Sequence, residues 1–375
     1  MESSTVVTPP YVAGPLRLEP FRALRLAPSR IANPASGRAF ARPYTDVAAR
    51  LAQWQADGQM HHDDQPALYL HEYTAGGMTI RGLVGLLDIS HRAARIEDAV
   101  VLPHEGIHPA QADELADRMA EMGLNPAPIL LVHRSAPDAR AVLDELRAGR
   151  PDHVFTDRAE QRHRIWALQD PARLAIVQAA LAGTRTLIAD GHHRYAAYLR
   201  LQQRRPGGAE DRGLAMLVDH DDTPLFLGAI HRVLAGVSLD DLERAALLVG
   251  ARFASARPDR AVAALRRDTM VVTDGDRWAT ITFDTVDGDR TAVEVLHDVI
   301  VPALPRGPRA ISHHHSAEET LGLASADADL AVLLPAPDVD QVLRIVAGGR
   351  LLPEKATSFQ PKASVGVLIR SLNDG

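Results

Sequence analysis

The stretch Thr186-Leu187-Ile188-Ala189-Asp190-Gly191-His192-His193-Arg194-Tyr195-Ala196-Ala197-Tyr198-Leu199-Arg200-Leu201 changes its period halfway along. Its first four residues form an apolar run with strand character. From Tyr195 onward, apolar residues recur at the spacing of one helix face. Asp190-Gly191-His192-His193-Arg194 therefore occupies a strand-to-helix turn, the joint from which α/β folds are assembled. A helix start leaves backbone N–H groups without intrahelical partners and carries a partial positive charge, which suits a phosphate or carboxylate. Gly191 lets the backbone approach a ligand closely, and Arg194 can hold an anion through two parallel hydrogen bonds. Asp190 alone would serve as an ordinary helix cap. An acid, a glycine, two imidazoles and a guanidinium in succession exceed what capping requires.

Working outward, the pattern predicts a helix over 45–56 and strands over 67–73 and 78–89, joined at Gly76-Gly77 as a hairpin. A helix over 110–122 closed by Gly123, a strand over 129–132, a helix over 137–148, a strand over 164–168 and a helix over 171–181 follow. Beyond the signature helix come a polar loop over 204–213 and strands over 214–218 and 225–230. This alternation predicts an α/β fold with a mixed-sheet core. The residues before the first strand are proline-rich and irregular apart from their helix, and 11–40 are expected to wrap the core. From Ser238 the pattern restarts, with helices over 239–249, 258–267, 293–301 and 339–347. Strands are expected there over 270–273, 278–283, 330–334 and 364–369, with a hairpin turn at Asp274-Gly275. The expected organisation is an N-terminal extension over 1–66 packed on the core, a core over 67–235, and a second α+β domain over 236–375. Residues 351–362 of that last domain are expected to return toward the core.

With 375 residues the chain can bury a large core and is expected to form two domains. A net charge of −7 argues against a nucleic-acid partner. With no cysteine, disulfides, thiolate metal sites and cysteine nucleophiles are all excluded. No apolar run reaches membrane-spanning length, and Met1-Glu2-Ser3-Ser4 does not open a secretory signal, so a cytoplasmic location without membrane contact is expected. There is no phosphate loop of the Gly-x-x-x-x-Gly-Lys type, no protein-kinase His-Arg-Asp loop and no Rossmann glycine triplet.

Three further constellations carry titratable groups. His313-His314-His315 with Glu318 would place His314 and Glu318 four apart on a helix, a pair able to share a metal. His61-His62-Asp63-Asp64 reads as a polar linker without ligand spacing. Lys355-Ala356-Thr357-Ser358-Phe359-Gln360-Pro361-Lys362 brings two lysines and two hydroxyls to a proline-kinked loop, where they could contact phosphate.

Asp190-Gly191-His192-His193-Arg194 also resembles the signature of a prokaryotic family, domain of unknown function number ten-fifteen. That family is similar to the ParB/sulfiredoxin superfamily, whose understood relatives include free serine kinases. Further matches run in order along the chain: Phe21-Arg22-Ala23-Leu24-Arg25, Pro43-Tyr44-Thr45-Asp46-Val47, Pro103-His104-Glu105, Ile230-His231-Arg232, Leu296-His297 and the segment from Leu352 to Lys362. The resemblance implies a ParB/sulfiredoxin-like core and a small-molecule phosphotransferase. The nucleotide donor would be ATP or ADP (or CTP, as in ParB-type proteins), with Mg²⁺, and the acceptor free serine or a serine-like hydroxyl.

In that scheme Glu105 takes the proton of the attacking hydroxyl. Arg194 and the helix start at Gly191 neutralise the transferring phosphate, and His192 and His193 donate hydrogen bonds to it. Asp190 orients a histidine or holds Mg²⁺ through water. His104, Arg232, Lys355, Thr357, Ser358 and Lys362 contact the nucleotide, with Lys355 and Lys362 closing over it. The same residues would also serve a phosphoserine phosphatase, a CTP-binding switch, or a regulator that binds a metabolite without turnover. A homodimer is left open.

Overall fold

The computed structural model describes residues 6–32, 40, 42–134, 136–284, 290–324 and 329–374. The chain divides into two compact units, Met1–Leu225 with Pro361–Gly375, and Phe226–Gln360.

Two strands buried over most of their length set the frame of the first unit. Leu68–Ala75 and Met78–Asp88 form the hairpin expected at Gly76-Gly77, both glycines taking positive φ. They lie inside a sheet of eleven strands among the described residues. In spatial order its centre runs Arg162–Leu168, Leu68–Ala75, Met78–Asp88, Arg212–Asp219, Ile129–His133, Thr186–Asp190 and Ala99–Leu102. The hairpin half is antiparallel, whereas Arg212–Asp219 runs parallel to Ile129–His133, and Thr186–Asp190 parallel to Ala99–Leu102. The expected mixed α/β core is what the structure has. Residues outside 33–39 of the expected N-terminal wrap are described, and short strands there, Tyr11–Ala13 and Leu18–Glu19, join this sheet.

Alternate residues separate the two faces of the sheet. Leu70, Leu83 and Leu217 face the helices Pro137–Ala148 and Pro171–Ala182. His71, Val84 and Met216, each the neighbour of one of those leucines, face a recess on the other side. The signature helix His192–Arg204 buries Tyr195 and Tyr198. Each tyrosine retains a partner for its hydroxyl, donating to the carbonyls of Pro10 at 2.8 Å and Ala127 at 3.1 Å. Side chains of this size contribute on the order of 1.5–3 kcal/mol each through burial, so the helix holds its turn firmly against the sheet.

The apolar run near the end of the chain departs from expectation. Instead of one strand over 364–369, there are two, Ser358–Gln360 and Ile369–Ser371. Between them Gly366 takes φ +94°, and a Cβ there would come within 2.8 Å of Leu26, so the run bends rather than extends. Ile369–Ser371 pairs with Ala23–Leu26 and Leu124–Asn125 in the first unit.

Among the described residues the second unit has an antiparallel sheet of six strands in the order Arg252–Ser255, Trp278–Thr282, Thr269–Thr273, Asp329–Leu333, His231–Ala235 and Ala310–His314. The helix expected over 293–301 is there a mixture: Ala292–Glu294 is α-helical, Val295–Ile300 a π-helix and Val301–Ala303 a 3-10 turn.

Candidate anion and acid–base site

Asp190 ends its strand beside a bulge, because Leu130 pairs with Asp190 but Leu131 pairs with Ile188. Bulges of this kind re-aim a side chain at the end of a strand. Gly191 then turns the chain with φ +94° into the signature helix. A Cβ at this position would sit 3.0 Å from Nε and Nη2 of Arg194. Glycine therefore permits the turn and leaves room for Arg194 to fold back across it. Arg194 Nη2 donates to Asp190 Oδ2 at 2.6 Å, and Nη1 donates to the Pro128 carbonyl. Lys362 Nζ donates to Asp190 Oδ1 at 2.6 Å. One carboxylate thus braces two cations. The trio borders a recess with His71 and Met216 among its lining, and residues between Ala363 and Leu368 supply much of its wall.

The two signature histidines do something other than the expected donation to a phosphate. His192 Nε2 accepts the backbone N–H of His104 at 3.3 Å, and His193 Nε2 accepts that of His108 at 3.0 Å. A ring nitrogen that accepts carries no proton, so each imidazole is neutral with its hydrogen on Nδ1. His192 Nδ1 lies 3.1 Å from Glu105 Oε1 and donates to it. His192 and His193 therefore clamp the loop over 103–108, and His192 aims its glutamate. His104 packs edge-on against His192 with ring centroids 4.5 Å apart. Burial lowers His104 to a pKa of about 3, with His192 adding to the shift, so it packs there as a neutral ring. Glu105 adjoins the signature turn through His192, but neither residue borders the recess of Asp190, Arg194 and Lys362.

Arg232, expected to contact a nucleotide, is instead fully buried in the second unit. Its guanidinium donates to the carbonyls of Ile230, Glu354 and Lys355 at 2.8, 3.2 and 3.0 Å, and its Nε donates to His297 Nε2 at 3.0 Å. Burial lowers it to a pKa of about 10. Its donors are spent on organising the 354–355 loop. Lys355, at φ 52°, Thr357 and Ser358 lie in this unit, Ser358 buried in a strand paired with Phe226–Gly228. Lys362 belongs to the first unit. The residues expected to close over a nucleotide therefore divide between the units.

Both histidine clusters weighed as metal sites resolve differently. Ala310–His314 is a strand and the following helix starts at Ala317, so His314 and Glu318 share no helix face; His314 Nδ1 meets Glu319 at 2.9 Å instead. Met60–His62 is a strand rather than a linker; His62 pairs with Asp374 at 2.7 Å and Asp63 with Arg25. Among the described residues no three His, Cys, Asp or Glu side chains converge to hold a metal.

Sequence reasoning overlooked His71, His163 and Asp157. His163 Nε2 lies 3.1 Å from Asp157 Oδ2, and His163 Nδ1 lies 2.9 Å from His71 Nε2. The alternation His71-x-Tyr73 was visible as two polar rings on one strand face. Its partner His163 sits on another strand, opposite Tyr73, and no local pattern announces that pairing.

The first unit is thus a mixed α/β fold in which Asp190 braces Arg194 and Lys362 at a strand-to-helix turn. The chain belongs to the family described as protein of unknown function (DUF1015), whose model matches residues 5–305. Among solved structures it is similar to SbnI with a C-terminal truncation from Staphylococcus aureus, at 12% identity and a TM-score of 0.43, covering 76% of this chain and 86% of that one. It is also similar to a conserved hypothetical protein from Pyrococcus furiosus, at 15% identity and a TM-score of 0.40, covering 73% and 93%. A free serine kinase variant in complex with ADP matches at 16% identity and a TM-score of 0.39, covering 72% and 89%. Comparison with curated proteins finds no match. No described helix is long and apolar enough to cross a membrane.

Proposed function

We propose that this protein is a small-molecule phosphotransferase that moves a phosphoryl group between a nucleotide and the hydroxyl of free serine or a serine-like metabolite. The observation that carries the reading is the convergence of Arg194 and Lys362 on Asp190 at the border of one recess. Two cations and one carboxylate leave a net positive site beside a helix start, suited to a phosphate or carboxylate. In the scheme the family resemblance implies, Glu105, aimed by His192, accepts the hydroxyl proton as the oxygen attacks phosphorus and the nucleotide leaves with the bond electrons; lying outside the recess, it serves only an acceptor that extends from the anion site toward the loop over 103–108. Serine as acceptor, ATP or ADP as donor and a ParB/sulfiredoxin-like core follow from the signature's family resemblance. Asp190 already accepts from both cations, so it would reach Mg²⁺ through water, the metal being held mainly by the nucleotide's phosphates.

The test is to incubate the full chain and Mg²⁺ with ATP, ADP or CTP and a panel of hydroxyl amino acids, following products by phosphorus NMR. Nucleotide-dependent phosphoserine supports the proposal. Phosphate released from phosphoserine without nucleotide would make it a phosphatase. Binding without any product would make it a regulator.

A further inference from the structure

Asp157, His163 and His71 form a buried hydrogen-bonded chain that proton transfer at Glu105 does not use. Its direction can be read from its fixed end. Asp157 Oδ1 accepts the backbone N–H groups of Ala159 at 2.8 Å and Gln161 at 2.9 Å. Its Oδ2 must then accept from His163 Nε2, since a carboxylate has no hydrogen to give. His163 Nδ1 is left as an acceptor and takes the Nε2 hydrogen of His71. His71 is therefore the tautomer whose Nδ1 carries a lone pair. His163 is 0% exposed and His71 2%, yet His71 lines the recess together with Asp190, Arg194 and Lys362. Burying three polar groups in a row is costly compared with an apolar trio. What the chain achieves is to fix which hydrogen-bonding role His71 can play.

We propose that the Asp157–His163–His71 chain is a specificity element of the recess, holding His71 as an acceptor for the ammonium or hydroxyl of a small amino or hydroxy acid whose anionic group is held by Arg194 and Lys362. This rests on the anion-site reading above and adds the donor group that the ligand must carry. The geometry also supplies a reversal. In Asp157→Asn the carbonyl oxygen must stay at the Oδ1 position to accept Ala159 and Gln161. The amide nitrogen then faces His163 and donates. His163 becomes the Nδ1–H tautomer, His71 accepts at Nε2, and its Nδ1 becomes a donor.

Titration calorimetry of the full chain with O-phospho-L-serine and with inorganic phosphate measures the effect. The native protein should prefer phosphoserine. Asp157→Asn should reduce that preference by about tenfold to a hundredfold, the range for a lost hydrogen bond to a charged group, with phosphate affinity nearly unchanged. His71→Phe, which removes the acceptor outright, should do the same. Nitrogen-15 shifts of the histidine rings should show His163 protonated at Nε2 in the native protein and at Nδ1 in Asp157→Asn, a change that loosened packing would not produce. A native protein without preference, or one whose preference survives in whichever variant folds, overturns the proposal alone. A native protein that binds neither probe overturns the anion-site reading and this proposal with it.

Discussion

Glu105→Gln separates basicity from architecture at the candidate site. His192 cannot rotate to suit the new side chain, because its Nε2 is held by the His104 N–H at 3.3 Å. Its Nδ1–H therefore still points at position 105 and selects the amide oxygen of glutamine as its acceptor. The amide nitrogen falls where the second carboxylate oxygen stood, so an acceptor is replaced by a donor. Exchanging a charge-assisted hydrogen bond for a neutral one should cost about 1 kcal/mol of stability. For a domain of this size that is a melting shift of roughly 2–4 °C. Loss of a general base costs far more in rate, roughly 10²–10⁴ in turnover, or about 2.7–5.4 kcal/mol of barrier. The assay pairs phosphorus NMR of product formation with calorimetry of ADP binding. Expected are a near-native melt, near-native nucleotide binding and turnover reduced by at least a hundredfold. Native turnover in the variant would refute the assignment of Glu105 as base.

Three other perturbations bear on the same unit. Arg194→Ala should weaken inorganic phosphate binding by more than about tenfold, as expected for a charged contact, and Lys362→Ala by less, since its side chain is 49% exposed. Calorimetry showing native affinity in Arg194→Ala would remove the anion site. Gly191→Ala should destabilise the protein by about 1–3 kcal/mol, because φ +94° strains alanine and its Cβ meets the Arg194 guanidinium at 3.0 Å. An unchanged urea midpoint would dismiss that account of the turn. Burial holds His71 and His104 at pKa values of about 3, below their unfolded value of 6.5. The unfolded chain therefore takes up protons first, and stability present above pH 6.5 is lost as pH falls from there toward 3. Urea titrations at pH 7 and pH 5 should differ by on the order of 2 kcal/mol per buried histidine. His71→Phe should lose its share of that slope, and a slope equal to the native one would contradict the assignment.

Much of this protein was legible along the chain because the relevant signals are local. The switch from strand period to helix period across 186–201 announces the turn, and Gly191 has to be glycine for reasons confined to its own φ and to Arg194, three residues on. The hairpin at Gly76-Gly77 and the helix closed by Gly123, at φ 67°, depend likewise on neighbouring residues. The run over 364–369 misled because its β-branched residues suit a strand wherever the backbone is free to extend, and Gly366 bends it.

Which polar groups face one another is settled in the folded chain, since pairing between distant segments has no local period. Arg232 and Arg194 are both arginines in family motifs, yet one spends its donors on buried carbonyls and the other braces the edge of a recess. Lys362 reaches Asp190 across 172 positions of sequence. The roles of His192 and His193 were set by backbone N–H groups 88 and 85 residues away, which claim the Nε2 atoms and so fix the tautomers. Local residue order places an acid, two imidazoles and a guanidinium on a strand-to-helix turn. Folding decided that the imidazoles hold the loop over 103–108, His192 meeting Glu105, and that the guanidinium shares Asp190 with a lysine, because a buried hydrogen-bonding group is defined by the partner that burial leaves it.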